Sequence, residues 1–385
     1  MSKKKYKQNR QFTLLVKPAS ADCNLHCDYC FYLDKQSLYP EEKQHRMSTQ
    51  VLEKMIGSYM ATRQPVYSFG WQGGEPTILG TEFFRTVTNL QQHYGKSGMS
   101  VANGLQTNGT LIDDEMAAHF AGYKFLLGVS LDGPPELHNV YRKSKNGEPT
   151  HDRVLQGIQT LDKHGVEYNI LTLVSTANVE EPKKVFRYLA DNGFLYHQYI
   201  PCVEFDGEGN PLPWNITGEQ WGRFLCGIFD EWIGGYTEKV SVRYFDSLMQ
   251  YLFHNRQVIC TQGTNCRQYF VVEYNGDVYP CDFFVKKNKK LGNIMQDSWS
   301  YLGSSQRYRN FGRMKSRWNE ACVTCPFLKF CAGDCLKHRL YAGNEPETLS
   351  WLCRGQKMFF EHALPELKRL TESVRQSVEQ EMMRR

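Results

Sequence analysis

The stretch CNLHCDYCFY, Cys23 to Tyr32, sets three cysteines at the spacing CxxxCxxC, and the next cysteine in the chain is Cys202. A structural zinc site takes four ligands, so the motif is one short. Three thiolates suit a different centre: they can hold three irons of a 4Fe-4S cube and leave the fourth iron open to a ligand from outside the protein. Zinc completed by a distant residue, and plain burial of the thiols, are the alternatives that spacing alone allows.

The motif follows an apolar run, FTLLVK, and comparable runs recur as VYSFGWQ, MSVANGLQTNG, KFLLGVSLDG, VEYNILTLVS and FLYHQYIPCV. Each is followed by a helical pattern. In HDRVLQGIQTLDKHG, Val154, Ile158 and Leu161 recur at i, i+4, i+7, which is one face of a helix. Strands alternating with helices imply parallel pairing through right-handed crossovers. Six such units are too few to close an eightfold barrel. The fold predicted is therefore α/β, a partial (β/α)6 barrel over residues 11–235, with its chemistry at the C-terminal ends of the strands. CNLHCDYC, QGGEPT, QTNGT, SLDGP and IPC all fall at such ends.

Over residues 236–354 the texture changes: cysteines become dense, regular helices become scarce, and FVVEYNGDVYPCDFFV reads as a hairpin turning at Asn275-Gly276. This predicts a second, C-terminal cysteine-rich domain. Residues 355–385 read as a charged packing helix that Pro365 kinks or restarts, and residues 1–10 as a solvated basic tail.

A net charge of +5 on 385 residues is too modest for a dedicated nucleic-acid binder. No apolar run approaches the roughly 18 residues of a membrane span, and the basic N-terminus lacks the apolar core of a signal peptide. The expected location is the cytoplasm, with neither membrane nor nucleic acid as partner. Thiols stay reduced there, so the thirteen cysteines read as metal ligands rather than disulfides. Cys260, Cys266, Cys281, Cys322, Cys325, Cys331, Cys335 and Cys353 suffice for two complete four-cysteine sites, of iron–sulfur or zinc type. Cys226, inside an apolar helix pattern, and Cys202, at the end of the sixth strand, read as structural.

CxxxCxxC with Phe31 and Tyr32 behind it, after the first strand of a partial barrel, resembles the radical S-adenosylmethionine (SAM) superfamily, in which SAM chelates the open iron. The resemblance implies 5′-deoxyadenosyl radical chemistry. It implies contacts to SAM from Tyr29, from Gly74 within Gln72-Gly73-Gly74-Glu75-Pro76, and from Ser130, Arg142 and Val203, where Val203 replaces a common leucine. Arg142 is suited by charge to the SAM carboxylate. The later cysteines resemble the SPASM extension of peptide-modifying members. On that pattern Cys260, Cys266, Cys281 and Cys335 hold one auxiliary cluster, and Cys322, Cys325, Cys331 and Cys353 another, giving three 4Fe-4S clusters.

The words LLVKPAS, CDYCFYL, WQGGEPT, LQTNGT, VSLDGP and YPCDFFV resemble the anaerobic sulfatase-maturating enzymes in particular, a resemblance that extends from about residue 12 to 365. This implies oxidation of a sulfatase cysteine or serine to Cα-formylglycine, beginning with loss of a Cβ hydrogen. The implied partners are an unfolded sulfatase polypeptide as substrate and an electron donor of flavodoxin or ferredoxin type. The basic run Val285–Lys290 is a candidate dock for that donor. Asp282, next to Cys281, becomes the catalytic base beside an electron sink, with Gln72 and Tyr32 near the substrate. Two readings compete: a maturase that crosslinks or epimerises another peptide, and a non-enzymatic multi-cluster electron carrier. The open three-cysteine site argues against the carrier, which has no use for an unligated iron.

Overall fold

The computed structural model describes residues 11–383, so the basic tail expected at 1–10 lies outside the described residues. Ten strands form one sheet: β1 Thr13–Lys17, β2 Val66–Trp71, β3 Ser100–Thr107, β4 Leu126–Ser130, β5 Tyr168–Val174, β6 Tyr196–Pro201, β7 Ser241–Val242, β8 Tyr269–Glu273, β9 Asp277–Tyr279 and β10 Gly292–Asn293. Their order is β10-β9-β8-β1-β2-β3-β4-β5-β6-β7. Strands β1 to β7 pair in parallel, each with the next, as strand–helix alternation requires. The six expected strands all form within the runs that predicted them.

Alternation along these strands separates a packed face from a hollow one. On β2, Tyr67, Phe69 and Trp71 are fully buried. The ring of Tyr59, on the helix Thr49–Met60, meets Tyr67 and Phe69, and Phe83, on the helix Gly80–Tyr94, meets Trp71. The opposite face carries Gly70, Gly104 and Gly128 with Gln106, Ser130, Asn169 and Gln198, all lining an interior cavity. Bulky branched residues fill the centre of a closed barrel. Small and polar residues here leave room for a ligand instead.

Two elements go beyond the sequence reading. The short β7 adds a seventh parallel strand and leads directly into the helix Arg243–His254, so regular helix is not as scarce after residue 235 as the composition implied. Phe245, Ser247 and Leu248 are the buried side of this helix, a narrow apolar stripe that the neighbouring cysteines and loop residues masked. The Asn275-Gly276 hairpin forms as predicted, with Val271 opposite Tyr279 and Val272 opposite Val278. What the pattern did not reveal is that β8 then lies parallel to β1, in register from Thr13↔Tyr269 to Lys17↔Glu273.

The C-terminal helix runs unbroken from Cys353 to Met383 with Pro365 inside it, so the expected restart does not occur. Phe359, Phe360, Ala363, Leu364 and Leu367 are buried, and the most extensive helix contact is with Gly218–Ile233. That burial outweighs the cost of an interior proline. The two helices cross at backbone contact: a Cβ on Gly355 would lie 1.8 Å from the Gly218 carbonyl oxygen and 2.7 Å from the Gly222 nitrogen. No helix among the described residues is long and apolar enough to cross a membrane.

The crossing yields a prediction. Gly355→Ala forces the helices apart, an overpacking cost of about 1–3 kcal/mol, and should lower the anaerobic thermal midpoint by several degrees in circular dichroism. An unchanged midpoint would show that the helices separate freely.

Candidate active site

Leaving β1 at Lys17, the chain turns through Pro18 to Asp22 and enters the cysteine motif. This turn is fastened to the loop after β2: the Gly74 N–H donates to the Ser20 carbonyl at 2.7 Å, and the Glu75 N–H to the Asp22 carbonyl at 2.8 Å. A Cβ at Gly74 would sit 2.0 Å from the Asp22 carbonyl oxygen, and Gly73 has φ +139°. The close backbone approach that demands these glycines is therefore to the cysteine loop itself. Glu75 anchors the same loop to β3. Fully buried, its carboxylate accepts from the Thr77 N–H (3.1 Å) and hydroxyl (2.7 Å), the Thr107 hydroxyl (2.8 Å) and the Asn108 N–H (2.6 Å).

Cys23, Cys27 and Cys30 line one end of a cavity of about 540 Å³ that continues down the barrel interior. The Leu25 N–H and the Asn108 amide donate towards the Cys23 sulfur, at 3.4 and 3.7 Å. Burial pushes the Cys23 and Cys27 thiols up to about 12, with Arg142 opposing the rise at Cys27. Thiols so desolvated ionise only against a strong positive charge, which a metal centre provides. Cys202 packs in the same small group with Leu25, Cys27 and Tyr29, yet does not line the cavity. The donor set thus fits a cube held by three thiolates, beside a cavity of a size usual for small-molecule ligands.

Tyr29, Gly74, Ser130 and Arg142 all line this cavity. Val203 does not: it lies just past the end of β6 and is buried in the main hydrophobic core. Arg142 has a protein counterion that the sequence reading missed. Its Nε donates to Asp132 Oδ2 at 2.8 Å. The Tyr29 hydroxyl donates to the same oxygen, and the Leu173 N–H to Asp132 Oδ1 at 2.9 Å. A buried guanidinium requires such a partner.

Next to the lining residues Tyr32 and Gln72, Asp282 is 6% exposed and faces both of them and Lys17. The Tyr32 hydroxyl donates at 2.7 Å, the Gln72 amide at 3.2 Å, and the Lys17 ammonium forms an ion pair with Oδ1. Three residues singled out separately in the sequence thus meet in one group. Cys281 is extended (φ −163°, ψ 150°), so the two neighbouring side chains diverge. Asp282 turns to the barrel, and Cys281 to a group containing Cys266, Phe284 and Leu336. Lys17 and Glu273, paired across the β1–β8 ladder, are both 1% exposed, and burial pushes Glu273 up to about 7 against the pull of Lys17. A lysine ending an otherwise apolar strand was the one sequence signal that could have exposed this pair.

Eight of the ten remaining cysteines fall into two neighbourhoods. Cys335 is under the direct electrostatic influence of Cys260, Cys281 and Cys266, while Cys322, Cys325, Cys331 and Cys353 line a single small pocket. Cys226 packs beside the core, in the helix Gly218–Ile233. The basic run Val285–Lys290 is exposed at Lys286 and Lys287, with Lys290 paired to Asp277 at 2.5 Å.

Comparison with known proteins agrees with this arrangement. Residues 18–189 match the Radical SAM superfamily, and residues 260–326 match SPASM, an iron–sulfur cluster-binding domain. The fold is that of a radical SAM enzyme with such a domain. A serine-type anaerobic sulfatase-maturating enzyme of Bacteroides thetaiotaomicron is 39% identical over 91% of this chain and 89% of its own length. A cysteine-type one of Clostridium perfringens is 34% identical over 94% of this chain and 99% of its own. The solved structure of native anSMEcpe with bound AdoMet and Kp18Cys peptide superposes with a TM-score of 0.88 at 34% identity, covering 94% of this chain and 99% of that one. The chain belongs to the anaerobic sulfatase-maturating enzyme family. Streptococcus suis SuiB bound to its precursor peptide, at 16% identity and TM-score 0.64 over 88% of this chain and 76% of its own, shares the fold.

Because all four donors around Glu75 point at its carboxylate, Glu75→Gln turns one acceptor into an amide facing donors. The expected loss is about 1–3 kcal/mol of stability, read as a lower midpoint in anaerobic thermal denaturation. Wild-type stability would show that the loop does not depend on the carboxylate.

Proposed function

We propose that this protein oxidises a cysteine or serine side chain of a sulfatase polypeptide to Cα-formylglycine. The observation that carries the reading is the Asp282 carboxylate, adjacent in sequence to Cys281 and hydrogen-bonded to Tyr32 and Gln72, two residues that line the cavity. Bound SAM and iron–sulfur clusters supply the hydrogen-atom acceptor and the one-electron sink that such an oxidation needs. Cys23, Cys27 and Cys30 would hold the SAM-binding cluster. Cys260, Cys266, Cys281 and Cys335 would hold one auxiliary cluster, and Cys322, Cys325, Cys331 and Cys353 the other. Tyr29, Gly74 and Ser130 would hold SAM in the cavity they line. Arg142 would do so with the Nη side of its guanidinium, since Asp132 engages Nε.

The chain's own part in the chemistry is to place and receive a proton. A substrate thiol or hydroxyl entering the mouth meets Asp282, which accepts its proton at a carboxylate oxygen within hydrogen-bond reach. Tyr32 and Gln72 fix the orientation of the carboxylate, and Lys17 balances its charge where water is scarce. Phe31 and Phe283 close the wall beside them, with ring centroids 5.2 Å apart. The relatives named for sulfatase maturation, and a solved relative holding a peptide, support a polypeptide substrate. A small acidic electron carrier of flavodoxin or ferredoxin type is the proposed donor.

Anaerobically reconstituted protein should contain about twelve irons, and replacing Cys23, Cys27 and Cys30 by Ala should remove about four. Stoichiometric zinc in place of iron would refute the cofactor assignment. Asp282→Asn keeps shape and hydrogen bonding but cannot serve as a base at neutral pH. Its formylglycine yield, measured by mass spectrometry on Cys- and Ser-containing sulfatase peptides, should fall by a factor of about 10² or more while SAM cleavage persists. Wild-type yield from this variant would remove Asp282 from the mechanism, and no formylglycine from wild-type enzyme on either peptide would overturn the proposed reaction.

A further inference from the structure

Between the two four-cysteine sets lie two cations shut off from solvent. Lys315 and Arg339 are each 1% exposed. Neither is paired with a carboxylate: the Lys315 ammonium donates to the carbonyls of Thr261 (3.0 Å), Ala332 (2.9 Å) and Asp334. Those carbonyls belong to the neighbours of Cys260, Cys331 and Cys335, so one ammonium ties loops from both cysteine sets. Arg339 behaves alike. Its Nη1 donates to the carbonyls of Arg317 (3.1 Å) and Pro346 (2.9 Å), and Nη2 to that of Lys315 (2.8 Å). Its Nε is buried without a partner.

The nearby carboxylates are engaged elsewhere: Asp334 accepts from His338 Nδ1 at 2.8 Å and from the Ser350 hydroxyl at 2.6 Å, and Glu347 pairs with Arg317 at 2.6 Å. Two full positive charges therefore sit in low dielectric with dipoles, not anions, as their hydrogen-bond partners. Burying such charges costs several kcal/mol each unless negative charge lies near. Negative charge lies near on Asp334, which is not hydrogen-bonded to either cation, and on the cysteines. Lys315 acts electrostatically on Cys260, Cys266 and Cys331, and Arg339 on Cys266 and Cys322, so each cation reaches both sets. Burial pulls both cations below their usual ranges, with Asp334, Cys266 and Cys335 opposing that pull.

We propose that Lys315 and Arg339 form a buried cationic bridge that raises the reduction potentials of the clusters bound at the two four-cysteine sites, suiting both to accept an electron. The inference rests on the reading that these sites carry 4Fe-4S clusters. Four thiolates make each cluster a net dianion when oxidised and a trianion after taking up one electron. Fixed positive charge favours the trianion, and more strongly in a medium of low dielectric. Because each cation reaches both sets, removing either one shifts both couples. In this role Lys315 and Arg339 tune and position the clusters and do not touch substrate.

The test uses the full chain with Cys23, Cys27 and Cys30 replaced by Ala, so that the auxiliary signals stand alone. Its reduction is titrated anaerobically against mediators and followed by electron paramagnetic resonance. Lys315→Met and Arg339→Gln, introduced separately, should each retain about eight irons and lower the equilibrium constant for one-electron reduction at least tenfold, about 59 mV. Lys315→Arg should restore the parent potential. Full iron with unchanged potentials in either variant overturns the bridge while leaving the cluster assignment intact. Loss of iron from both variants and from Lys315→Arg as well would assign the pair to holding the loops together, and would equally overturn it. Absence of iron from the parent chain would refute the cluster reading itself.

Discussion

One parallel ladder, β8 laid against β1, organises the functional half of this molecule. It carries a hairpin from the cysteine-rich region onto the edge of the barrel sheet, with Lys17 opposite Glu273. Nine residues after Glu273, Asp282 reaches the barrel mouth and meets Tyr32 and Gln72. Without that register Asp282 and the cavity would belong to separate bodies. Register is stringent in a sheet, since a slip of one residue turns every side chain to the other face. Here it would turn Lys17 and Glu273 to the other face.

A second constraint is the contact between the cysteine loop and the loop after β2. Backbone meets backbone at Gly73 and Gly74, and buried Glu75 ties the pair to β3. Three strand ends are thereby locked together around the thiols. A site meant to direct radical chemistry gains from such rigidity, because displacement of a reacting group by about 1 Å can cost 10²-fold in rate. The hollow lumen beneath, lined by glycines and small polar residues, leaves space where a closed barrel would have a packed core.

Electrostatics divides the molecule in the same way. In the barrel the buried cations have local counterions: Arg142 has Asp132, and Lys17 has Asp282. Between the two four-cysteine sets, Lys315 and Arg339 have only carbonyls as hydrogen-bond partners. Paired charges keep a cavity electrically quiet for its ligand. Unpaired ones impose a field on whatever the neighbouring thiols hold.

Local pattern alone determined much of this protein. Strand–helix alternation defined the barrel strands, Asn275-Gly276 located the hairpin, and the cysteine spacings separated an open three-thiol motif from eight further clustered cysteines. These features are legible because each depends on residues close in sequence, through backbone periodicity, turn geometry or ligand spacing. The pairing of β8 with β1, the seventh strand, the counterions Asp132 and Lys17, the withdrawal of Val203 from the lumen and the meeting of Lys315 with Arg339 were decided by tertiary structure. Each joins residues remote in the chain or depends on the direction a single side chain takes. Such choices are settled by burial: a charge taken out of water must find a partner wherever the fold brings one, and no local pattern of letters records where that will be.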